Sequence, residues 1–288
     1  MAKTKVYNPI KARTVRELSV RGVKYAVNEW GETGSPLIVY LHGWGDTGST
    51  LQFVVDALES DWHIVAPDWR GFGRSEIECT SYWFPDYLAD LDELLAIYSP
   101  RDPVRLVGHS MGANVAGLYA GAMPERIAAL VNIEGFGLPD SDPDDAPRRY
   151  REWIEARDLA FSEYADYESL AHRVRMRNPH MPEAAASFVA REWANKDADG
   201  VVRLRADPLH KRPNPVLYRR AEAEACWKAI TASSLLVTGA ESRLARHFAP
   251  GQELPGSERI VIDRAGHMLH FEAPAALAEV VEGFLLSL

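Results

Sequence analysis

The chain has 288 residues, 47% of them hydrophobic and 25% charged, which excludes a disordered protein and supplies enough apolar material for one large α/β domain with an insertion. Its formal net charge of −9 argues against nucleic acid or an anionic membrane surface as the main partner, because either would favour a basic face. The opening residues lack the apolar run of a secretory signal, and no uninterrupted hydrophobic stretch reaches membrane length, so a cytoplasmic, membrane-free protein is expected.

Taken in order, Thr14–Val20 and Val23–Trp30 are β-favouring runs separated by Arg21-Gly22, the pattern of a hairpin at an antiparallel edge. After the breaker Gly31-Glu32-Thr33-Gly34-Ser35-Pro36 comes Leu37-Ile38-Val39-Tyr40-Leu41. Such a continuous apolar run suits a strand buried on both faces. It ends in His42-Gly43-Trp44-Gly45-Asp46. A helix is expected over 50–58, then a buried strand His63-Ile64-Val65-Ala66-Pro67, which runs into the glycine-rich loop Asp68-Trp69-Arg70-Gly71-Phe72-Gly73-Arg74-Ser75. Residues 85–98 place Leu88, Leu91, Leu94, Leu95 and Tyr98 at three- and four-residue spacing behind a proline, an amphipathic helix lying on the sheet.

Val104-Arg105-Leu106-Val107 then leads into Gly108-His109-Ser110-Met111-Gly112 and a run of small residues to about Ala122, read as strand, tight turn and helix. A strand over 128–133 ends at Glu134-Gly135-Phe136-Gly137. Alternation of strand and helix implies a mostly parallel, doubly wound sheet whose ligands sit beyond the carboxyl ends of its strands. Between 138 and 215 no strand-like run is evident; helices are expected over 146–157, 164–177 and 182–195, forming an inserted helical cap. The core is therefore expected in two parts, 1–137 and 216–288, the second with a helix over 216–230, strands over 234–238 and 259–262, and a last helix over 274–285. The two cysteines, Cys79 and Cys226, fit neither a disulfide framework nor a zinc site. They are expected to be buried thiols, and no metal or cofactor is called for.

A serine in a glycine-flanked strand-to-helix turn is held in a strained conformation with its hydroxyl clear of the sheet, which makes Ser110 the candidate nucleophile. A hydroxyl needs a base at neutral pH and a third group to orient that base. Among nine histidines, His267 follows the last strand in Asp263-Arg264-Ala265-Gly266-His267-Met268, at the sheet edge of Ser110. His270, three residues on, is assigned a packing or hydrogen-bonding role. The oxyanion requires preorganised N–H donors: the Met111 amide, at a helix start, and the Trp44 amide, with His42 bracing that loop.

Leu41-His42-Gly43-Trp44, Asp68-Trp69-Arg70-Gly71-Phe72-Gly73-Arg74-Ser75, Gly108-His109-Ser110-Met111-Gly112 and Gly266-His267, in that order, resemble an α/β-hydrolase. The chain is most similar to the capped serine esterases and serine hydrolase-like proteins related to haloalkane dehalogenases. Those dehalogenases carry aspartate at the elbow; serine here implies acyl transfer from an ester, thioester or lactone. Many relatives place the acid just after the strand 234–238, yet this chain reads Gly239-Ala240-Glu241-Ser242 there. Other members supply a carboxylate one strand earlier, where this chain has Glu134. Glu134 is therefore expected as the acid, with Glu241 as the alternative.

Trp44, Trp69, Phe72, Trp83, Phe136 and Met111 imply an apolar pocket for a small or medium acyl or aryl group, with Trp44 and Phe136 against substrate. The arginines of the insertion, Arg148, Arg149, Arg151, Arg173, Arg175 and Arg177, are expected on a solvated face. The expected activity is metal-independent hydrolysis of a small-molecule ester by a monomer or homodimer. A lactone, thioester or carbon-carbon bond hydrolase or lyase on the same triad is the alternative, as is a non-catalytic ligand-binding protein.

Overall fold

The computed structural model describes residues 6–77, 80–245 and 254–288; Cys79 lies outside them. Strands β1 (Thr14–Val20) and β2 (Val23–Trp30) form the expected hairpin, with Val20 opposite Val23. Arg21 and Gly22 both take positive φ, 47° and 78°, the two-residue turn whose twist matches that of the strands. Next come β3 (Leu37–Leu41), α1 (Gln52–Val55), β4 (His63–Pro67), α2 (Phe84–Tyr98), β5 (Val104–His109), α3 (Met111–Ala122) and β6 (Ile127–Ile133). The following stretch holds α4 (Ala146–Glu155), α5 (Tyr167–Arg177), α6 (Glu183–Trp193), β7 (Ala194–Lys196) and β8 (Val202–Leu204). Then α7 (Arg220–Lys228), β9 (Ser233–Gly239), β10 (Glu258–Ile262), α8 (Leu269–Glu272) and α9 (Pro274–Leu286) complete the described elements.

Eight strands form one sheet in the order β1-β2-β4-β3-β5-β6-β9-β10, parallel from β4 onward and antiparallel at the hairpin. Side chains alternate across a strand, so β3 divides its residues between two cores. Val39 and Leu41 pack with Leu91, Leu94 and Leu95 of α2, Val115 and Tyr119 of α3 and Trp227 of α7. Ile38 and Tyr40 face Val54 and Val55 of α1 and Leu277, Val281 and Leu285 of α9. A leucine such as Leu91, fully buried, contributes about 2 kcal/mol by leaving water. Because β3 bonds to β4 on one side and β5 on the other, the loops after β3 and β5 diverge and open a crevice at the strand ends.

Three expected elements differ. The helix over 50–58 is a 3-10 turn, Gly48–Leu51, followed by the single turn of α1. The helix over 216–230 is shortened to α7, because Tyr218 and Arg220 donate their amides to Ser141 Oγ and Asp140 Oδ1 (3.0 and 2.8 Å), holding the approach to the helix against residues 140–141. The stretch 138–215 is not wholly helical: β7 and β8 pair as an antiparallel ribbon, each too short for a legible alternation. Within that stretch Leu170 and Val174 of α5 pack on Ala186, Val189 and Ala190 of α6, and the cluster rests on Phe53 and Phe271 of the main body. Cys226 is half-buried rather than buried. Among the described residues no helix is long and apolar enough to cross a membrane.

Candidate active site

The turn after β5 holds Ser110 at φ 51° and ψ −114°, a left-handed conformation that a non-glycine residue adopts only when its surroundings enforce it. The enforcement is visible. The Ser110 amide donates to the Ile133 carbonyl at 2.8 Å, and its carbonyl accepts from Asn114 at 3.0 Å. The flanking glycines are required by close approach: a Cβ on Gly112 would run into the Leu41 carbonyl, and one on Gly108 would meet the backbone of Ala113.

His267 Nε2 lies 3.0 Å from Ser110 Oγ, and His267 Nδ1 lies 3.2 Å from Glu134 Oε2. A carboxylate can only accept, so Nδ1 carries the proton and Nε2 presents its lone pair to the hydroxyl. Glu134 is 1% exposed and itself sits at φ 58°. Asn132 shapes that turn, its side chain bonding both the N–H and C=O of Gly135 at 2.8 and 2.9 Å. Two further donors hold the carboxylate: the Gly239 amide at Oε1, 2.8 Å, and the Ser242 hydroxyl at Oε2, 2.6 Å. Glu241 is elsewhere; its carboxylate is half exposed and meets His180 Nε2 at 2.9 Å.

His109, inside the pentapeptide, donates from Nε2 to the His267 carbonyl at 2.9 Å, tying the histidine loop to the serine turn. Burial first, and then the neighbouring His270 and His267, push its pKa well below the usual value, so it stays neutral. His42 braces its loop as expected: Nδ1–H donates to the Gly43 carbonyl at 2.8 Å, and Nε2 accepts the Trp69 amide at 2.8 Å. The Gly43 to Asp46 turn closes between its end residues at 3.3 Å, leaving the Trp44 amide within the turn. Met111 N–H opens α3 and has no acceptor within the helix. The Met111 amide belongs to the serine turn itself and the Trp44 amide to the loop after β3, which abuts that turn: a Cβ on Gly43 would lie 3.2 Å from Ser110 Cβ.

His270 is 1% exposed and donates to Asp46 Oδ2 at 3.0 Å. Thr50 Oγ1 and Trp193 Nε1 donate to Asp46 Oδ1 at 2.8 and 2.7 Å. Burial pushes the Asp46 carboxyl up, but the His270 bond and charge, with His42 and Trp193, outweigh it and hold the pKa below the usual range. Asp46 thereby ties α6 to the loop that carries Trp44. Nothing in a lone aspartate after Gly-Trp-Gly signals this. Ser242, Asn132 and Trp193 were equally illegible.

A cavity of about 550 Å³ lies beneath α5, with Trp44, Phe72, Phe161, Trp193 and His267 in its wall. The half-exposed Trp44 ring meets Phe72 and Phe161 at 6.3 and 6.0 Å between centroids. Phe136, expected against substrate, is 3% exposed and outside this wall; the Arg220 guanidinium bonds its carbonyl at 3.0 Å. Trp69 is fully buried below the loop and Trp83 faces Trp153. Of the arginines expected on a solvated face, Arg173 and Arg177 are exposed as expected and also border the cavity.

Residues 36–274 match the family described as alpha/beta hydrolase fold, and the chain belongs to that family. It is 28% identical over 181 residues to a serine hydrolase-like protein of Danio rerio, a match covering 59% of this chain and 55% of that protein; the chain thus spans about half of that relative. It is 24% identical to 2-(acetamidomethylene)succinate hydrolase of Mesorhizobium japonicum, covering 94% of each. Among solved structures, the thioesterase domain from the curacin biosynthetic pathway superposes with a TM-score of 0.82 at 26% identity, covering 94% of this chain and 99% of that one. Two of these relatives carry hydrolytic names, a hydrolase and a thioesterase domain.

Proposed function

We propose that this chain is a serine hydrolase that cleaves carboxylic esters of small to medium acyl or aryl groups through an acyl-enzyme on Ser110. The observation that carries this reading is the unbroken chain Ser110 Oγ, His267 Nε2, His267 Nδ1, Glu134 Oε2, at 3.0 and 3.2 Å. His267 takes the hydroxyl proton as Ser110 attacks the carbonyl carbon, and the Trp44 and Met111 amides meet the oxyanion. The imidazolium, held by Glu134, then protonates the departing alkoxide. In the second half His267 removes a proton from water, whose oxygen attacks the acyl carbon, and Ser110 leaves with that proton. Residues 138–215 act as a cap that roofs the cavity, anchored through Trp193 and Asp46. Serine at the elbow favours an acyl intermediate over the alkyl ester that an aspartate would form.

The test is hydrolysis of p-nitrophenyl acetate, butyrate and hexanoate by the intact protein and by Ser110→Ala. A burst of nitrophenol near one per chain with the first, and none with the second, is expected. Equal turnover by both would overturn the assignment.

A further inference from the structure

The chain carries a net charge of −9, yet the wall of its cavity is cationic. Arg173 and Arg177 reach it from α5, Arg205 from the segment after β8, and Lys211 from the 3-10 turn Pro208–Lys211. Asp46 is the carboxylate in that wall, and its oxygens are engaged by His270, Thr50 and Trp193. Among the described residues none of the four cations has a carboxylate within ion-pair distance.

Arg205 is the informative one. Its backbone is fixed, the amide donating to Trp193 at 2.7 Å and the carbonyl accepting from Gly73 at 2.8 Å. Its side chain is partly buried and donates from Nε to the Ala194 carbonyl at 3.3 Å, which leaves both Nη groups without a partner. The nearest candidate, Glu192, is already held by Arg13 at 3.0 Å and Arg74 at 2.8 Å. Burial, and then the Arg74 charge, lower the Arg205 pKa from its ordinary value. Glu192 and Asp68 offset this only in part, and with no carboxylate within ion-pair distance the half-buried guanidinium is under-compensated. Arg205 lines this cavity and also a neighbouring one beside Arg74 and Glu76, and its unpartnered Nη groups are the paired N–H donors that recognise an oxyanion.

We propose that the substrate of this site is an anionic ester: the end away from the scissile bond carries a carboxylate or sulfonate that binds Arg205 inside the cavity, with Arg173, Arg177 and Lys211 drawing it in. This rests on the serine hydrolase reading for the word ester, but the anion site itself does not depend on turnover. The apolar wall of Trp44, Phe72 and Phe161 accommodates the methylene chain between the two ends.

The experiment compares p-nitrophenyl hydrogen adipate with p-nitrophenyl hexanoate, which differ in the terminal carboxylate, each corrected for spontaneous hydrolysis. Wild type should favour the adipate by at least about tenfold in kcat/KM, the scale of one charge-assisted bidentate contact, and the preference should shrink with added salt. In Arg205→Met the adipate-to-hexanoate ratio should fall at least about tenfold, with Arg205→Lys intermediate; Arg173→Met with Arg177→Met should lower it severalfold. A ratio near one in wild type, or one unchanged in a folded Arg205→Met, overturns the proposal. Tryptophan fluorescence of Ser110→Ala titrated with adipate, hexanoate and 6-sulfohexanoate reads binding without chemistry. Adipate binding that depends on Arg205, with neither ester turned over, would keep the anion site and discard the hydrolase reading. Turnover of the hexanoate ester with no preferential adipate or sulfonate binding would do the reverse. The stronger of the two anions identifies the head group.

Discussion

Replacing Glu134 by glutamine leaves the shape of the site and changes its proton arrangement. The carboxylate of Glu134 accepts from three donors: Gly239 N–H, Ser242 O–H and His267 Nδ1–H. A glutamine offers one oxygen, and Gly239 claims it because a backbone amide cannot reverse its polarity. The new NH2 then faces Ser242 and His267. Ser242 can rotate and accept; His267 must present a bare Nδ1 and carry its proton on Nε2, toward Ser110. A histidine in that tautomer cannot take the serine proton. The charge lost sits 3.2 Å from Nδ1, worth about 5 kcal/mol to an imidazolium at an effective dielectric constant near 20. His267 is one-third exposed, and solvent screening trims that figure, so kcat should fall about 10³- to 10⁴-fold. Glu241→Gln removes an exposed partner of His180 and should change kcat by less than about twofold. Steady-state hydrolysis of p-nitrophenyl butyrate, with circular dichroism to confirm folding, decides it. A folded Glu134→Gln within tenfold of wild type, or a dead Glu241→Gln, would refute the assignment.

Three further outcomes follow from groups around the site. His210 is stacked between Phe72 and Tyr82, ring centroids 3.8 and 3.6 Å away, and burial pulls its pKa down to about 3. The unfolded chain therefore binds a proton that the folded one refuses between about pH 6.5 and 3, and stability falls as pH drops through that window by about 1.4 kcal/mol per unit. His210→Phe should flatten the slope by that amount in urea titrations at pH 7, 6 and 5; identical slopes would contradict it. Glu192, buried between Arg13 and Arg74, keeps a pKa near 2 because those two bonds and charges outweigh the burial that would raise it. Glu192→Gln should cost about 3 kcal/mol near pH 7, and the wild-type advantage should vanish as acid protonates the glutamate; an unchanged urea midpoint at pH 7 would refute this. Gly112→Ala forces a methyl against the Leu41 and His42 carbonyls, so thermal unfolding should register a loss of about 1–3 kcal/mol together with reduced turnover. An unaltered melting temperature would show that the elbow has more room than its geometry implies.

The parallel core was legible because its signals are long or chemically singular. β3 and β4 are unbroken apolar runs, α2 repeats leucine at helical spacing, and glycine on both sides of Ser110 has few explanations besides close packing. Glu134 is what the family resemblance implies where no aspartate follows β9, with Glu241 as the alternative, and the structure brings Glu134 to His267. What escaped has physical reasons. β7 and β8 span three residues each, one alternation apiece. The mixed charges of 146–177 do not say which helix face borders the cavity, so the exposed Arg173 and Arg177, which border it, could not be separated from the exposed Arg148. Phe136 follows a turn whose direction depends on the left-handed backbone of Glu134, and no aromatic spacing encodes that. Asp46, Trp193 and His270 are joined across 224 positions of sequence separation, beyond the reach of any local pattern.

The central claim is that Ser110 is an activated nucleophile. Incubating the protein with a fluorophosphonate and reading intact mass, followed by peptide mapping, tests it most directly. One adduct per chain on Ser110 is predicted, absent in Ser110→Ala and formed at least about 10³-fold more slowly in His267→Ala. A folded protein that stays unlabelled, or an adduct on another residue, would contradict the account.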